Sequence, residues 1–229
     1  MALSQGWKLI CNGFKIVWER MTTLIILNLL WFLLWLAPMF INSVTSDNQV
    51  YFWICVVVSL ILFGPVTAAM HHLINRIVHG DVIGVSDFIA AFKQFFWRSE
   101  ALTWLSLLII VILLVGFAFI SSHSLPVIRI FSALWLYAIL FWLMVYQFVF
   151  PCLIQQKLGV WTTLKQATLL VKDNMLVSLM LLLLSGLLTI MGWYVIFIFV
   201  VFWFSVISLL QNYIMVELLK EPGNGHSKE

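Results

Sequence analysis

Apolar residues run through this chain in blocks of about twenty, and shorter polar stretches separate the blocks. Six blocks are apparent, at about Thr22–Ile41, Val50–Met70, Ala101–Ser121, Ile130–Cys152, Asn174–Met191 and Tyr194–Val216. A helix needs about 20 residues to cross the roughly 30 Å of hydrocarbon in a bilayer. Strands of a membrane β-barrel would instead alternate apolar and polar residues. The pattern therefore predicts six transmembrane helices.

The boundary between the last two blocks depends on the four residues MGWY, Met191–Tyr194. Gly192 is the predicted turn residue. Without this turn, one long helix would replace two spans, and the C-terminus would move to the other side of the membrane.

Three shorter stretches have amphipathic helical spacing, and each leads directly into a span. They are GWKLICNGFKIVWER, SDFIAAFKQFFWR and VWTTLKQATLLVKDN. In the second, Phe88, Phe92, Phe95 and Phe96 form an aromatic stripe, and Ser86 or Asp87 is the expected N-cap. Aromatic faces with basic edges are typical of helices that lie in the membrane interface. We therefore expect three cytoplasmic interfacial helices beside the six spans.

Each interfacial helix is followed by two spans, so the chain can be divided into three similar units. The units are residues 4–70, 86–152 and 160–218, within a single membrane domain of residues 1–221 and before a flexible tail of residues 222–229. All three have the same orientation, which would make them parallel repeats. The alternative is coincidence, because membrane-edge sequences in general favour aromatics and lysines.

Composition identifies the class of protein. Hydrophobic residues make up 64% of the 229 residues, charged residues make up 9%, and the mean hydropathy is +1.10. A soluble domain has roughly a quarter charged residues and could not bury so much apolar surface. The predicted fold is therefore an all-α, polytopic membrane helical bundle, embedded in the lipid bilayer.

The distribution of basic residues predicts the orientation. Eleven of the 12 Lys and Arg residues fall in the segments 1–21, 71–100, 153–173 and 217–229, and Arg129 alone falls on the opposite side. Basic residues concentrate in cytoplasmic segments. Both termini are therefore predicted to be cytoplasmic. Residues 1–20 carry charges throughout and do not have the pattern of a cleavable signal peptide.

Polar residues concentrate in the stretch FGPVTAAMHHLINRIVHGDVIGVSDF, which comprises the end of the second predicted span and the loop after it. His72, Arg76 and His79 share one helix face, and Lys93 and Arg98 follow in the same segment. A metal site on this face would need a third and a fourth ligand, and Asp81 is the only acidic residue nearby, so we do not favour metal binding. We therefore interpret these five residues as a lipid-surface basic face, with the neighbouring phenylalanines dipping into the leaflet.

The same stretch begins with small residues at the end of the span. Gly64 and Ala68 have the small-xxx-small spacing that lets helices approach closely, and Ala69 extends this face. We favour helix packing over ligand contact for these positions. Pro65 frees the carbonyl of Ile61 and is expected to kink its helix near the end of the span.

These residues resemble the YesL-like family of bacterial integral membrane proteins. The resemblance is carried by a Gly-Pro-x-Thr-Ala-Ala signature at the end of a span and by the aromatic helix after it. The matching positions are Gly64, Pro65, Thr67, Ala68, Ala69, Asp87, Phe88, Phe92 and Lys93. The resemblance implies a multi-pass protein of the bacterial plasma (inner) membrane with a link to sugar uptake. It transfers no functional residue, because the family's activity is not established.

The sequence contains few motifs that are typical of catalysis or of ligand binding. The sequence has no HExxH, GxSxG or phosphate-binding glycine loop, so we expect no enzyme, no catalytic residue, no cofactor and no metal. With the predicted boundaries the spans contain no Asp, Glu, Lys or Arg, which argues against a proton-driven pump. Five tryptophans lie deeper in the spans: Trp31, Trp35, Trp135, Trp142 and Trp203. They are the first candidates for a sugar-facing surface, but we favour lipid or packing contact for them.

Two functions follow from this pattern. The first is a non-enzymatic accessory or scaffold component associated with carbohydrate uptake, with carbohydrate importer components as partners and no nucleic acid. The alternative is a small transporter or channel for a neutral solute such as a sugar.

Overall fold

The computed structural model describes residues 3–45, 48–122, 130–195 and 199–220, and these residues form helices with no strand among them. The helices are α1 (Leu3–Glu19), α2 (Met21–Thr45), α3 (Gln49–Val78), α4 (Val85–Ser121), α5 (Ser132–Gln156), α6 (Val160–Asp173), α7 (Met175–Tyr194) and α8 (Phe204–Lys220). A π-helical turn, Phe199–Trp203, leads directly into α8. Six segments are long and apolar enough to cross a membrane: α2, α3, α4, α5, α7 and the π-helical turn together with α8. The predicted all-α fold with six spanning helices is confirmed.

The region between the second and third spans differs from the prediction. Helix α3 continues beyond Met70 to Val78, because Pro65 lies within the helix and does not end it. Helix α4 runs from Val85 through Ser121 without a break, so the middle interfacial helix is not a separate element. Between Trp97 and Trp104 the sequence contains neither glycine nor proline, so nothing in it favours a joint there.

Helix α4 also begins differently from the prediction. Its N-cap is Gly84, rather than Ser86 or Asp87, and the Asp87 carboxylate accepts a hydrogen bond from the Gly84 N–H at 2.9 Å. This is the reciprocal half of a capping box, in which an acidic side chain at the third position reaches back to the cap. A helix of 37 residues is about 55 Å long, so α4 must tilt or extend beyond the hydrocarbon.

The predicted MGWY turn is also wrong. Met191–Tyr194 form the last turn of α7, and Gly192 is buried within that turn. The helix ends at Tyr194, and the C-cap residue Val195 has non-helical backbone angles (φ −120°, ψ 80°). The two spans are thus separate, as predicted, but the break comes after Tyr194.

Helix α3 occupies the centre of the bundle and contacts α2, α4, α5 and α8. The apolar part of α4 lies on the outside, where only 6% of its most hydrophobic window is buried within the protein. Helix α1 packs across one end of the bundle, with Gly6 beside Val177 of α7 and Gly13 beside Leu210 of α8. We call this the α1 end, and α6 lies at it because α6 leads directly into α7.

Exposed aromatic residues mark both ends of the bundle. At the α1 end, Trp7, Trp18 and Trp161 are 61–78% exposed. At the opposite end, Trp193 and Tyr194 are 80% and 83% exposed. Tryptophan and tyrosine concentrate where hydrocarbon meets water, so these residues fit a bilayer placed between the two ends.

The cytoplasmic location of the α1 end remains a prediction, and cysteine labelling can test it. In a variant lacking Cys11, Cys55 and Cys152, we expect an impermeant maleimide to label Tyr194→Cys on whole cells. Lys157→Cys should react only after the cells are opened, because it lies at the α1 end, where the Arg98 guanidinium donates to its carbonyl at 3.1 Å. Labelling of Lys157→Cys on intact cells would contradict the predicted orientation.

Not every sequence prediction falls on described residues. The tail, residues 222–229, and the single basic residue on the opposite side, Arg129, lie outside them. The threefold repeat remains a prediction.

Candidate functional site

A cavity of about 520 Å³ lies within the bundle, between α2, α3, α5, α7 and α8. Its size is within the usual range for small-molecule sites. The aromatic side chains that line it are Trp31, Phe32, Trp35, Phe63, Tyr146, Phe150, Trp203 and Phe204. The polar side chains that line it are Thr67, His71, Ser185, Thr189, Ser208 and Gln211. Aromatic walls with a few polar groups are the composition expected of a ligand site.

Trp31 is the centre of the aromatic wall. Its ring stacks on Phe204 at a centroid distance of 4.3 Å and an angle of 6°, and it meets Trp35 at 5.4 Å and Phe63 at 5.9 Å. Its indole Nε1–H donates to Thr67 Oγ1 at 3.1 Å. These contacts fix one wall, because aromatic pairs and a buried hydrogen bond both restrict side-chain rotation.

The structure divides the five deep tryptophans into two groups. Trp31, Trp35 and Trp203 line the cavity. Trp135 lies against Gly116 of α4, and Trp142 packs against the protein core. Depth in the membrane, which the sequence indicates, does not specify which face of a helix points inward.

The π-helical turn places two of the cavity's aromatic residues. Trp203 ends this turn and Phe204 begins α8. The buried Asn28 of α2 stabilises the turn: its amide donates to the Val200 carbonyl and accepts from the Ser205 N–H at 3.0 Å. Val200 and Ser205 are five residues apart, which is the spacing of a π-helical bond, so the Asn28 side chain bridges that pair. Single π-turns are frequent at functional sites.

A polar cluster forms one end of the cavity. His71 is 3% exposed, and its Nδ1 lies 2.9 Å from Asn212 Nδ2 while its Nε2 lies 3.3 Å from Ser208 Oγ. The Gln155 amide donates to the Asn212 carbonyl at 3.2 Å. The sequence interpretation overlooked His71, which had been placed in a loop. The sequence feature that could have indicated a buried polar cluster is the pair Gln211 and Asn212 within an otherwise apolar helix.

Two residues that line the cavity each have a buried polar atom with no hydrogen-bond partner in the described protein. These atoms are Trp35 Nε1 and Ser185 Oγ. The neighbouring pair is satisfied, since Trp203 Nε1 donates to Thr189 Oγ1 at 2.9 Å and Thr189 donates to the Ser185 carbonyl at 2.7 Å. An unpaired buried polar group costs about 1–3 kcal/mol. A ligand that pairs with these two atoms would recover part of that cost.

The signature residues lie on α3 and α4. Gly64 faces α4, and a Cβ atom there would lie 2.7 Å from Thr103 Oγ1 and 3.1 Å from the Ser99 carbonyl oxygen. This geometry agrees with close helix packing at Gly64. Pro65, Ala68 and Ala69 are buried, and Thr67 contributes to the cavity. These five α3 positions therefore do not form one functional surface, because Gly64 faces α4 and Thr67 lines the cavity.

Asp87, the acidic residue of the signature, pairs with Arg76 at 2.6 Å, and Arg76 also meets Asp81 at 3.3 Å. Two carboxylates therefore face one residue of the predicted basic face. His79 Nδ1 donates to the Asn75 carbonyl at 2.8 Å. The net positive charge of this segment is lower than its basic residues alone indicate.

The other residues of the predicted basic face are dispersed. His72 lies beside Phe95, with ring centroids 6.1 Å apart, while Lys93 and Arg98 are exposed. The lipid-facing role of Phe95 is wrong, because its side chain is fully buried in the protein. Phe88 and Phe92 are partly buried against the core. The lipid-surface role of the basic residues remains a prediction.

The spanning helices also contain charged residues, contrary to the predicted boundaries. Arg76 lies in α3, and Asp87, Lys93, Arg98 and Glu100 lie in α4. The Glu100 carboxylate accepts from Trp104 Nε1 at 2.6 Å. None of these charged side chains lines the cavity. Within the described ranges, His, Cys, Asp and Glu form no group of three or more that could hold a metal ion.

Comparison with known proteins gives one match. Residues 24–117 match the model of a family described as a protein of unknown function, DUF624. No curated protein and no solved structure matches the chain. The matched segment covers less than half of the chain, and the resemblance to the YesL-like family remains a prediction. The chain is thus similar, from α2 through most of α4, to a family whose function is not established.

Proposed function

We propose that this multi-pass membrane protein binds a small neutral solute, such as a monosaccharide, in the cavity between its spanning helices, and that it is not an enzyme. The observation that carries the proposal is the convergence of Trp31, Trp35 and Trp203 on one cavity that also holds unpaired polar atoms. Ligand sites combine aromatic walls with a few placed polar groups in this way.

The absence of charge in the cavity supports a neutral solute. The described lining residues include no Asp, Glu, Lys or Arg. His71 is held in a hydrogen-bonded pair with Asn212, whose amide nitrogen can only donate to it, so the imidazole is neutral. A charged solute would lose its hydration here without gaining an opposite charge, which is costly within a membrane.

The arrangement of the polar groups supports a ring-shaped solute. A pyranose has an apolar C–H face and a rim of oxygens. Trp35 and Trp203 provide aromatic surface, and polar side chains lie at two separated places, Ser185 with Thr189 and His71 with Ser208. We expect a pyranose to pack its C–H face against the aromatic side chains and to direct its oxygens towards these polar groups.

The prediction for this site concerns Trp35. We expect the wild-type protein in lipid nanodiscs to bind radiolabelled methyl β-D-glucopyranoside saturably. Trp35→Leu should weaken binding by about tenfold, because it removes an aromatic contact and an N–H donor worth together about 1.4 kcal/mol.

The matched control is Trp135→Leu, which changes a tryptophan of a spanning helix that lies outside the cavity, against Gly116. Its affinity should equal that of the wild type. Absence of saturable binding by the wild type, or equal loss in both variants, would refute the proposed site.

Binding alone does not distinguish a carrier from an accessory protein. If the protein is a transporter, proteoliposomes should take up the labelled glucoside, and uptake should fall in Trp35→Leu. If it is an accessory component of carbohydrate uptake, liposomes should show no uptake, and isolation in mild detergent should recover importer subunits. The outer face of α4, with Leu108, Val115 and Phe119 more than half exposed, is available for lipid or for such a partner.

A further inference from the structure

The hydrogen bonds of the polar cluster determine the orientation of the Asn212 side chain. Asn212 Nδ2 lies 2.8 Å from the carbonyl oxygen of Ser208, which can only accept. The atom facing that carbonyl must therefore be the amide nitrogen, because an oxygen there would repel it. The same nitrogen lies 2.9 Å from His71 Nδ1.

This orientation determines the tautomer of His71. Since Asn212 donates to Nδ1, Nδ1 carries no hydrogen, and the imidazole hydrogen is on Nε2. Nε2 lies 3.3 Å from Ser208 Oγ, so His71 donates to the serine. The Ser208 hydroxyl receives this bond and keeps its own hydrogen for another acceptor. Ser208 lines the cavity.

Thr67 and Trp35 present hydrogens in the same way. Thr67 Oγ1 accepts from Trp31 Nε1 at 3.1 Å, which leaves the threonine hydrogen to donate. Trp35 Nε1 can only donate, and it is buried without a partner. Ser185, Tyr146 and Gln211 can donate or accept, and no carboxylate lines the described cavity.

We propose that the cavity recognises its ligand through the ligand's acceptor oxygens, with Ser208, Thr67 and Trp35 as the donors and with His71 and Asn212 as residues that set the direction of the Ser208 hydrogen bond. The inference rests on the proposed binding of a neutral solute and specifies its class. The ligand is a neutral ring compound with ether, carbonyl or hydroxyl oxygens, and it need not supply hydrogens. A carboxylate can only accept and would require a hydrogen from the ligand, and none lines the described cavity.

Two matched glucosides test the inference. Methyl β-D-glucopyranoside has both acceptor oxygens and hydroxyl donors, whereas its tetra-O-methyl ether keeps every oxygen and has no donor. We expect the ether to bind the wild-type protein in nanodiscs at least as tightly as the parent glucoside. Binding of the parent together with a tenfold or greater loss for the ether would overturn the inference.

Variants at Ser208 test the donor directly. Ser208→Ala should weaken binding of both glucosides by about tenfold. Ser205→Ala is the matched control, because Ser205 lies in the same helix, is equally buried and does not line the cavity. Unchanged affinity in Ser208→Ala would overturn the role of this hydroxyl.

Asn212→Asp tests the direction of the hydrogen bond. In this buried site a protonated carboxyl donates its hydrogen to the Ser208 carbonyl, and the same oxygen accepts from His71 Nδ1. The imidazole hydrogen then moves to Nδ1, and Nε2 becomes an acceptor of the Ser208 hydrogen. The serine would then offer lone pairs to the cavity. We expect the ratio of the two affinities to change several-fold in favour of the parent glucoside. A general loss of stability would weaken the binding of both glucosides and would not change this ratio.

The outcomes separate this inference from the proposed function. Binding of neither glucoside to the wild type would overturn both. Binding of the parent glucoside alone would overturn only the inference that the cavity recognises acceptor oxygens. Binding of the ether alone would support recognition through acceptor oxygens and would exclude an unmodified monosaccharide as the solute.

Discussion

Replacing Asn28 with leucine is expected to destabilise the protein, although the change makes the first span more hydrophobic. The Asn28 amide bridges the Val200 carbonyl and the Ser205 N–H, and its side chain is fully buried. Leucine would leave both backbone groups unpaired in an environment without water. Each such group costs about 1–3 kcal/mol, so we expect a loss of roughly 2–6 kcal/mol. The effect is measured by heating the protein in detergent and determining the fraction that stays monodisperse at each temperature.

Asn42→Leu is the control on the same helix. Asn42 Oδ1 has no hydrogen-bond partner in the described protein, so its loss should leave stability unchanged or slightly raised. The two substitutions are identical in chemistry and differ in what the amide contacts. Equal unfolding temperatures for Asn28→Leu and the wild type would show that the π-helical turn does not depend on Asn28.

Gly64→Leu should destabilise the protein through a clash between α3 and α4. The added Cβ would lie 2.7 Å from Thr103 Oγ1 and 3.1 Å from the Ser99 carbonyl oxygen. The Thr103 side chain can rotate, but the Ser99 oxygen belongs to the backbone and moves only with α4. Overpacking of this kind typically costs about 1–3 kcal/mol. The unfolding temperature and the folded yield should both fall.

Gly186→Leu is the matched control for Gly64→Leu. Gly186 lies in α7, and a Cβ atom there would have no neighbour within 4 Å. This variant should be as stable as the wild type or more stable, because leucine favours helix more than glycine does. Pro65→Ala should also be milder than Gly64→Leu, since it restores the N–H that can bond to the Ile61 carbonyl. Unchanged stability in Gly64→Leu would contradict the close contact of the two helices.

The six spans could be predicted because each depends on a local quantity, the length of an apolar run. The joints between helices were harder to predict. Asn174 separates α6 from α7 by non-helical angles (φ −128°, ψ 43°), whereas the segment before Ala101 continues as helix. Both places contain polar residues near a span, so hydropathy alone does not distinguish a joint from a continuous helix.

The candidate site was only partly predictable, as the histidines illustrate. His71 and His72 are adjacent, yet the first is hydrogen-bonded to Ser208 and Asn212 and the second lies beside Phe95. Adjacent residues on a helix point about 100° apart, so the rotation of α3 decides which one reaches the cavity. That rotation depends on how α3 packs against α8.

The sequence alone was sufficient for the membrane class, the number of spans and a set of deep tryptophans, because these follow from composition and from apolar runs within single segments. Only the tertiary structure assigned Trp31, Trp35 and Trp203 to one cavity and separated them from Trp135 and Trp142. It also identified the partners of Asn28 and His71, which are more than 130 residues away along the chain. The physical reason is that a cavity and its hydrogen bonds arise between helices, where the rotation and crossing of each helix are set by packing against its neighbours.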